Sequence, residues 1–207
     1  MKPQLKAPPG ATDCHMHIYD PRYAATPSWP IPLPNAPVVA YREVQAALGL
    51  TRAVIVQPNG YKFDNACTEE AVGAFGSSAR GIATVSADVT DAELERLTRI
   101  GFRGARCHMM KGGCLSWDEV DTIAARVQRY GWHVQVQLDG RELPQHEARL
   151  SRLPVDVVID HNGKFLEPVP TTHPAFATLL RLLDSGKFWV KLSAPYETSK
   201  EIGRAHV

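Results

Sequence analysis

The 207-residue chain has neither an excess of charge nor a long apolar run. Its 23 Lys and Arg residues balance 22 Asp and Glu residues, and the formal net charge of +1 argues against a nucleic-acid-binding stripe. No stretch approaches the roughly 18 apolar residues that a membrane-spanning helix needs. The lysines near the N-terminus precede no apolar segment of the kind found in secretory signal peptides. The sequence therefore predicts a cytoplasmic protein without nucleic-acid or membrane partners.

Cysteine is also scarce, with four residues and no CxxC pair. This number is far below that of a disulfide scaffold and favours reduced thiols in a cytoplasm-like compartment. A GxGxxG or Walker phosphate-binding motif is missing after the first predicted strand. What remains is an ordinary globular composition, 44% hydrophobic and 22% charged, which suffices for a sizeable core.

Strand and helix patterns alternate about seven times along the chain, with short connections. The predicted strands span 11–18, 52–57, 81–85, 102–108, 132–138, 155–161 and 188–193. Two helix starts carry capping-box patterns, Thr90 with Glu93 and Ser116 with Glu119. This alternation is typical of a parallel α/β architecture in one domain.

Polar residues recur at the carboxyl ends of the predicted strands, which distinguishes two α/β architectures. They are His17, Gln57, His108, Gln137, His161 and Ser193. A (β/α)8 barrel builds its active site from the ends of many strands, whereas an open doubly wound sheet places its ligand at a switch point. The distribution favours a (β/α)8 TIM barrel. Because a complete barrel needs roughly 250 residues, we expect about seven strands and a missing last β/α unit.

The strongest local pattern is the first-strand segment Asp13-Cys14-His15-Met16-His17. Because side chains alternate along a strand, Asp13, His15 and His17 are expected to share one face. Two imidazoles in this spacing can chelate a metal ion or act together on a substrate carbonyl, and a pair of structural histidines is the alternative. A proline-rich irregular loop at 21–37 follows, and its length favours a functional role.

Four segments together resemble the amidohydrolase superfamily: TDCHMHIYDP at 12–21, GARCHMMKGG at 104–113, VVIDHNGKF at 157–165 and WVKLSAPYE at 189–197. The branch they resemble contains 2-pyrone-4,6-dicarboxylate lactonase and D-galactarolactone isomerase. The resemblance implies a (β/α)8 barrel whose partner is a small carboxylated lactone. It also implies catalytic roles for His15, His17 and His161, which would polarise the lactone carbonyl while a strand-eight carboxylate serves as general base.

Many members of the superfamily bind metal ions through the first-strand histidines, a Lys or Glu on strand four, histidines on strands five and six, and an Asp on strand eight. This sequence departs from that set, because strand five offers Gln135 and Gln137 where a histidine is needed. Zinc would be short of nitrogen ligands. We therefore expect no metal cofactor. The alternative is one zinc ion, and if a metal binds, His15 and His17 are its predicted ligands.

Four further residues are predicted to contact the substrate. They are Arg106, His108, Gln137 and Asn59. An arginine inside a barrel keeps its charge and requires an anionic partner, which a substrate carboxylate would supply bidentately. An ion pair of Arg106 with Asp13 or Glu197 is the alternative, and for Asn59 the alternative is an ordinary turn residue. Lys191, by contrast, is predicted to face a helix.

The sequence therefore predicts an amidohydrolase-superfamily enzyme that hydrolyses the lactone ring of a carboxylated sugar acid or pyrone. Isomerisation of the D-galactarolactone isomerase type, in which a substrate hydroxyl replaces water, stays open. The segment 111–113 replaces the second arginine of the lactonase pattern and Gln137 replaces its tyrosine, which favours an aldaric lactone. A zinc-dependent decarboxylase and a non-enzymatic binding barrel are the remaining alternatives. The missing strand-five histidine disfavours the former, and three histidines and an arginine at the strand ends disfavour the latter.

The last seven residues, EIGRAHV, continue no structural pattern and match the translation of a common sequencing adaptor. We therefore predict a single amidohydrolase-like domain over 1–200 and a non-native tail over 201–207. A barrel without its last strand has open edges and lacks the strand-eight carboxylate. We expect the 207-residue chain itself to be inactive.

Overall fold

The computed structural model of the chain describes residue 4 and residues 6–198, so the predicted tail at 201–207 lies outside the described residues. The strands are β1 (Thr12–Met16), β2 (Arg52–Val56), β3 (Ala79–Ala83), β4 (Phe102–His108), β5 (His133–Gln137), β6 (Val157–Ile159) and β7 (Phe188–Val190). The helices are α1 (Val38–Leu48), α2 (Ala66–Phe75), α3 (Asp91–Ile100), α4 (Trp117–Val127), α5 (Leu143–Arg152) and α6 (Pro174–Asp184). Within this described part, no helix combines the length and apolar character needed to cross a membrane.

The seven strands form one sheet in the order of the sequence, from β1 to β7. The pairs β1–β2, β2–β3, β3–β4, β5–β6 and β6–β7 are all parallel. One helix lies in the chain between each strand and the next. Sequential parallel strands joined by helices are the arrangement of a (β/α)8 barrel, whereas an open doubly wound sheet reverses its strand order. The predicted fold class, an α/β barrel that is incomplete at seven strands, is confirmed.

The chain divides into two compact units, with the boundary between Arg106 and Cys107 inside β4. The first unit contains α1 to α3, and its core includes Ile55, Ile82, Leu94 and Leu97. The second unit contains α4 to α6, and its core includes Ile123, Leu138, Leu150 and Ile159. The prediction of a single domain over 1–200 stays a prediction.

Local sequence signals account for several element boundaries. Ser116 caps α4 in a complete capping box, because its Oγ accepts from the Glu119 amide and the Glu119 carboxylate accepts from the Ser116 amide at 2.7 Å. At the start of α3, the Thr90 hydroxyl accepts from the Glu93 amide at 3.2 Å, which is one of the two hydrogen bonds of a capping box. Gly49 ends α1 at a φ of 74°, in the left-handed region that glycine reaches without steric cost.

The register of β1 contains an irregularity that the sequence did not reveal. Asp13 pairs with Ala53 and Met16 pairs with Ile55, so three steps along β1 match two steps along β2. Because Ala53 and Ile55 share a face, Asp13 lies on the face of Met16 and not on that of the two histidines. The Asp13 carboxylate accepts a hydrogen bond at 3.0 Å from the hydroxyl of Tyr41 on α1. The prediction that Asp13 lies in one row with the histidines is wrong, because the bulge shifts the alternation.

Candidate active site

The first unit brings the two predicted first-strand histidines into contact. The imidazole rings of His15 and His17 meet edge to face, with centroids 5.0 Å apart. His17 follows β1 directly, and its Nδ1 lies 2.7 Å from the carbonyl oxygen of Val56. A carbonyl only accepts, so Nδ1 carries the hydrogen and Nε2 of the neutral ring carries the lone pair. His17 must therefore gain a second proton before Nε2 can donate to a developing oxyanion.

Arg106 lies in the same unit and is held by neutral oxygen atoms at the end of β2. Its Nη1 donates to the carbonyl of Gln57 at 2.7 Å and to Oδ1 of Asn59 at 3.1 Å. The residue is 4% exposed. These two bonds fix the plane of the guanidinium, which suits the planar fork geometry that arginine uses to bind carboxylates. Asn59 is therefore a partner of Arg106 and not an ordinary turn residue.

The two acidic groups considered as ion-pair partners of Arg106 have other contacts. Asp13 accepts from Tyr41 and from the His15 amide. Glu197, in the second unit, forms an ion pair with Lys164.

In the second unit, His161 comes directly after β6 in an unusual backbone conformation. Its φ is 50°, and Asn162 and Lys164 also have positive φ values, of 56° and 50°. Residues with a Cβ avoid this left-handed region, so such conformations persist only where the surroundings hold them. The Asn162 amide donates to the carbonyl of Lys191 at 2.8 Å. His161 itself is 8% exposed, and its Nδ1 lies 3.0 Å from the hydroxyl of Ser193.

Lys191 points into the second unit, and the prediction that it faces a helix is wrong. Its Nζ donates to Oε1 of Gln135 at 2.6 Å and lies 3.8 Å from Oδ1 of Asp160. Strict alternation would place Lys191 on the side of Trp189, which is 63% exposed. However, β7 ends at Val190, so the alternation of a regular strand no longer applies at Lys191.

This group of Gln135, Asp160 and Lys191, here called the buried lysine triad, bears on the metal question. Both polar atoms of the Gln135 side-chain amide make hydrogen bonds: Oε1 accepts from Lys191, and Nε2 donates to Asp160 at 3.1 Å. The lysine ammonium already supplies a positive charge beside the fully buried Asp160 carboxylate. An amide and a carboxylate facing an ammonium do not form a zinc-binding set. The triad therefore does not fit a metal ion.

The predicted contact residues His108 and Gln137 lie at neighbouring strand ends of the second unit. The amide of Met109 donates to the carbonyl of Gln137 at 2.8 Å and joins the ends of β4 and β5. Gln137 is buried, and His108 is partly exposed. Gly113 passes so close to the His108 carbonyl that a Cβ at this position would collide with it. This close approach explains a glycine in the Lys111-Gly112-Gly113 segment.

Sequence reasoning missed the inward position of Lys191 and the left-handed turn at His161. The first depends on where β7 ends, and the second on bonds between distant segments. The catalytic and substrate-binding roles of the predicted site residues stay predictions at this point.

Comparisons with known proteins give a consistent result. The family model described as amidohydrolase matches residues 12–206. A curated D-galactarolactone isomerase from Agrobacterium fabrum is 36% identical over 203 residues, covering 96% of this chain and 69% of the relative. A 2-pyrone-4,6-dicarboxylate hydrolase from Comamonas testosteroni is 33% identical over 206 residues, covering 96% of this chain and 67% of the relative.

A solved structure agrees with these sequence relatives. The crystal structure of an Agrobacterium tumefaciens protein in its apo form matches with a TM-score of 0.91 and 35% identity, over 97% of this chain and 74% of that one. The chain thus spans about two thirds of the length of the two curated relatives described above.

Proposed function

The chain belongs to the amidohydrolase family, as an enzyme of the amidohydrolase-related type, and we propose that it acts on the lactone ring of a small carboxylated substrate without a metal ion. The observation that carries the proposal is the fixed guanidinium of Arg106 in the unit that also contains the contacting histidines. Both curated relatives carry names of lactone-acting enzymes, and one name specifies a dicarboxylate.

Arg106 is the proposed anchor for a substrate carboxylate. Its Nη1 is oriented by Gln57 and Asn59, so the guanidinium reaches its binding geometry before the substrate arrives. Such preorganisation lowers the entropy that binding costs. A carboxylate accepts two parallel N–H bonds from one guanidinium, which fixes the orientation of the attached ring as well as its position.

The histidines are the proposed electrophilic groups. When a nucleophile attacks the lactone carbonyl, negative charge develops on the carbonyl oxygen, and hydrogen-bond donors directed at that oxygen stabilise it. His17 can serve in this way when Nε2 is protonated, because Nδ1 already donates to Val56. In the second unit we propose His161 as the catalytic histidine, with Ser193 fixing the orientation of its ring. The general base that we propose is the strand-eight carboxylate implied by the resemblance, which lies outside the described residues.

Hydrolysis and isomerisation differ in the nucleophile. In hydrolysis, water adds to the carbonyl carbon and gives a proton to the base, the ring C–O bond breaks, and the ring oxygen that leaves takes up that proton. In isomerisation, a hydroxyl of the substrate adds to the same carbon, and the ring oxygen leaves as a new hydroxyl. The isomerase is a second candidate because its 36% identity covers 96% of this chain.

Metal independence is proposed from the buried lysine triad. Both amide atoms of Gln135 make hydrogen bonds, to Asp160 and to Lys191, at the strand-five position where metal-binding members of the superfamily have a histidine. The 207-residue chain is therefore expected to retain no stoichiometric zinc after incubation with zinc and desalting, as measured by elemental analysis. Retention of one zinc ion per chain would contradict this part of the proposal.

Substrate binding is tested by calorimetry on the 207-residue chain with 2-pyrone-4,6-dicarboxylate and D-galactarolactone. Arg106→Lys keeps the charge but loses the planar fork, so we expect affinity to fall by about ten-fold or more. Arg103→Lys is a matched control, because Arg103 lies on the same strand and its Nη1 donates to the backbone carbonyls of Thr98 and Phe102. Equal affinity of the Arg106 variant and wild type for both compounds would refute the proposed role of Arg106.

A further inference from the structure

Tyr19 extends the two histidines of the first unit into a series of contacting rings. Its ring lies 6.0 Å from that of His17 and 6.1 Å from that of Tyr61, measured between centroids. Together with the contact between His15 and His17, this gives a row of four rings. The sequence has these residues at i, i+2 and i+4 in His15, His17 and Tyr19, a pattern that a motif search limited to the histidines overlooks.

The hydroxyl of Tyr19 differs from those of the other three tyrosines in the first unit. Tyr23 donates to Glu70 at 2.5 Å, Tyr41 donates to Asp13 at 3.0 Å, and the Tyr61 hydroxyl contacts the backbone of Asp20. Tyr19 is only partly exposed, and among residues 6–198 its hydroxyl makes no hydrogen bond. A tyrosine whose ring is packed, but whose hydroxyl makes no hydrogen bond to the described residues, is suited to bind a ligand through that hydroxyl.

The backbone of Tyr19 is fixed on both sides. Its amide donates to the carbonyl of Ala36 at 3.0 Å, and the Ala36 amide donates back to the Tyr19 carbonyl at 2.9 Å. This antiparallel bridge closes the proline-rich loop at 21–37. Tyr19 is therefore held by ring packing and by main-chain bonds, so its hydroxyl is presented with little loss of side-chain entropy on binding.

The electrostatic surroundings of Tyr19 favour a hydrogen-bond donor near a cation. Burial raises the pKa of the Tyr19 hydroxyl, and the positive charge of Arg106 opposes this rise. The hydroxyl therefore keeps its proton at neutral pH. The geometry also connects the two groups: the Tyr19 ring contacts that of His17, His17 bonds to the Val56 carbonyl, and Arg106 donates to the carbonyl of the next residue, Gln57. A neutral O–H donor and a guanidinium in the same region are complementary to an anionic oxygen.

We propose that the Tyr19 hydroxyl donates a hydrogen bond to the substrate carboxylate that Arg106 binds, and that it is a specificity-determining residue of this site. The inference rests on the proposed function, since it assigns a second contact to the same carboxylate. It predicts that the Arg106 guanidinium and the Tyr19 hydroxyl together make the site prefer a carboxylate to a neutral carboxamide of the same shape.

The test uses two simple probes on the 207-residue chain, glutarate and its neutral counterpart glutaramide. With tyrosine labelled at Cζ with carbon-13, the Tyr19 resonance is expected to shift saturably with glutarate and to stay in place with glutaramide. Tyr19→Phe keeps the ring and removes only the hydroxyl, so glutarate affinity should fall about ten-fold, the effect of one hydrogen bond to a charged group. Tyr61→Phe is the matched control and should keep affinity within about two-fold of wild type.

The outcomes separate this inference from the proposed function. The role of Tyr19 is overturned, even if the lactones bind, by a Tyr19 resonance that does not shift with glutarate. It is overturned as well by a Tyr19→Phe variant that binds glutarate with wild-type affinity. A Tyr19 response to glutarate without binding of 2-pyrone-4,6-dicarboxylate or D-galactarolactone supports the carboxylate contact and overturns the proposed substrate class. A ten-fold loss in both Tyr19→Phe and Tyr61→Phe overturns the role of Tyr19, because the effect would then not be specific to its hydroxyl.

Discussion

Replacing Lys191 by methionine is expected to destabilise the protein strongly, because it removes a cation that faces a fully buried carboxylate. The Lys191 side chain is 9% exposed, and that of Asp160 is 0% exposed. The ammonium also donates to Gln135 at 2.6 Å, and the same amide donates to Asp160. Methionine fills a similar volume but leaves the carboxylate charge in the interior without the ammonium that now compensates it.

The magnitude follows from the burial of both groups. Removing one partner of a buried ion pair costs about 3–5 kcal/mol, mostly because the remaining charge is poorly solvated. The separation of 3.8 Å is at the long end for an ion pair, so we expect about 3 kcal/mol for Lys191→Met. Adding Asp160→Asn removes the charge itself. The double variant should therefore be less destabilised than the sum of the two single changes, by about 2 kcal/mol.

Urea denaturation of the 207-residue chain measures these free energies of unfolding. Lys187→Met is the matched control, since Lys187 lies just before β7 and its Nζ donates to the backbone carbonyls of Ser151 and Leu153. It should cost about 1 kcal/mol. The reasoning is refuted if Lys191→Met costs no more than the control, or if the effects of Lys191→Met and Asp160→Asn simply add.

Three further predictions test other parts of the structure. The Arg22 guanidinium lowers the pKa of Glu70, so their pairing stabilises the fold above the unfolded-state pKa of about 4.3 and is lost as the pH falls through the lowered value. Arg22→Gln should flatten the acid side of a profile of Tm against pH, and an unchanged profile would contradict the pairing. Gly140→Ala would drive a Cβ into the carbonyl of the turn that contains His161, so urea unfolding should show a loss of about 1–3 kcal/mol. Ser193→Ala should change the nitrogen-15 shifts of the His161 ring, and Ser193→Thr should preserve them, because Nδ1 contacts the Ser193 hydroxyl.

The parts of the fold that were predictable are those that the chain encodes locally. The bounds of β4 at 102–108 agree with the structure at both ends, and Gly101 directly precedes the strand. The capping box of Ser116 and Glu119 marks the start of α4 in the same way. Each signal lies within a few residues of the boundary that it specifies, so no tertiary information is needed.

The positions of Asp13 and Lys191 could not be predicted from alternation, because alternation holds only inside a regular strand. Asp13 precedes a bulge whose presence depends on how β1 pairs with β2. Lys191 follows the last residue of β7, and its position depends on the bond of its amide to Ile159 and of its ammonium to Gln135. In both cases an interruption of the regular strand next to the residue places it on the opposite side from the expected one. Strand ends are where barrel active sites lie, so predictions from alternation fail at the positions that matter for function.

The backbone conformation of the turn from His161 to Lys164 also depends on distant segments, because their hydrogen bonds offset its steric cost. Its four residues all have positive φ, of 50°, 56°, 85° and 50°, although only Gly163 reaches this region without steric cost. Each of the other three costs roughly 1–2 kcal/mol relative to an ordinary conformation. Main-chain bonds from the segment after β7 and from Gly140 hold the turn in place. The motif HNGK could therefore mark the position of a site, but the orientation of His161 depends on contacts that form only when β5, β6 and β7 are assembled.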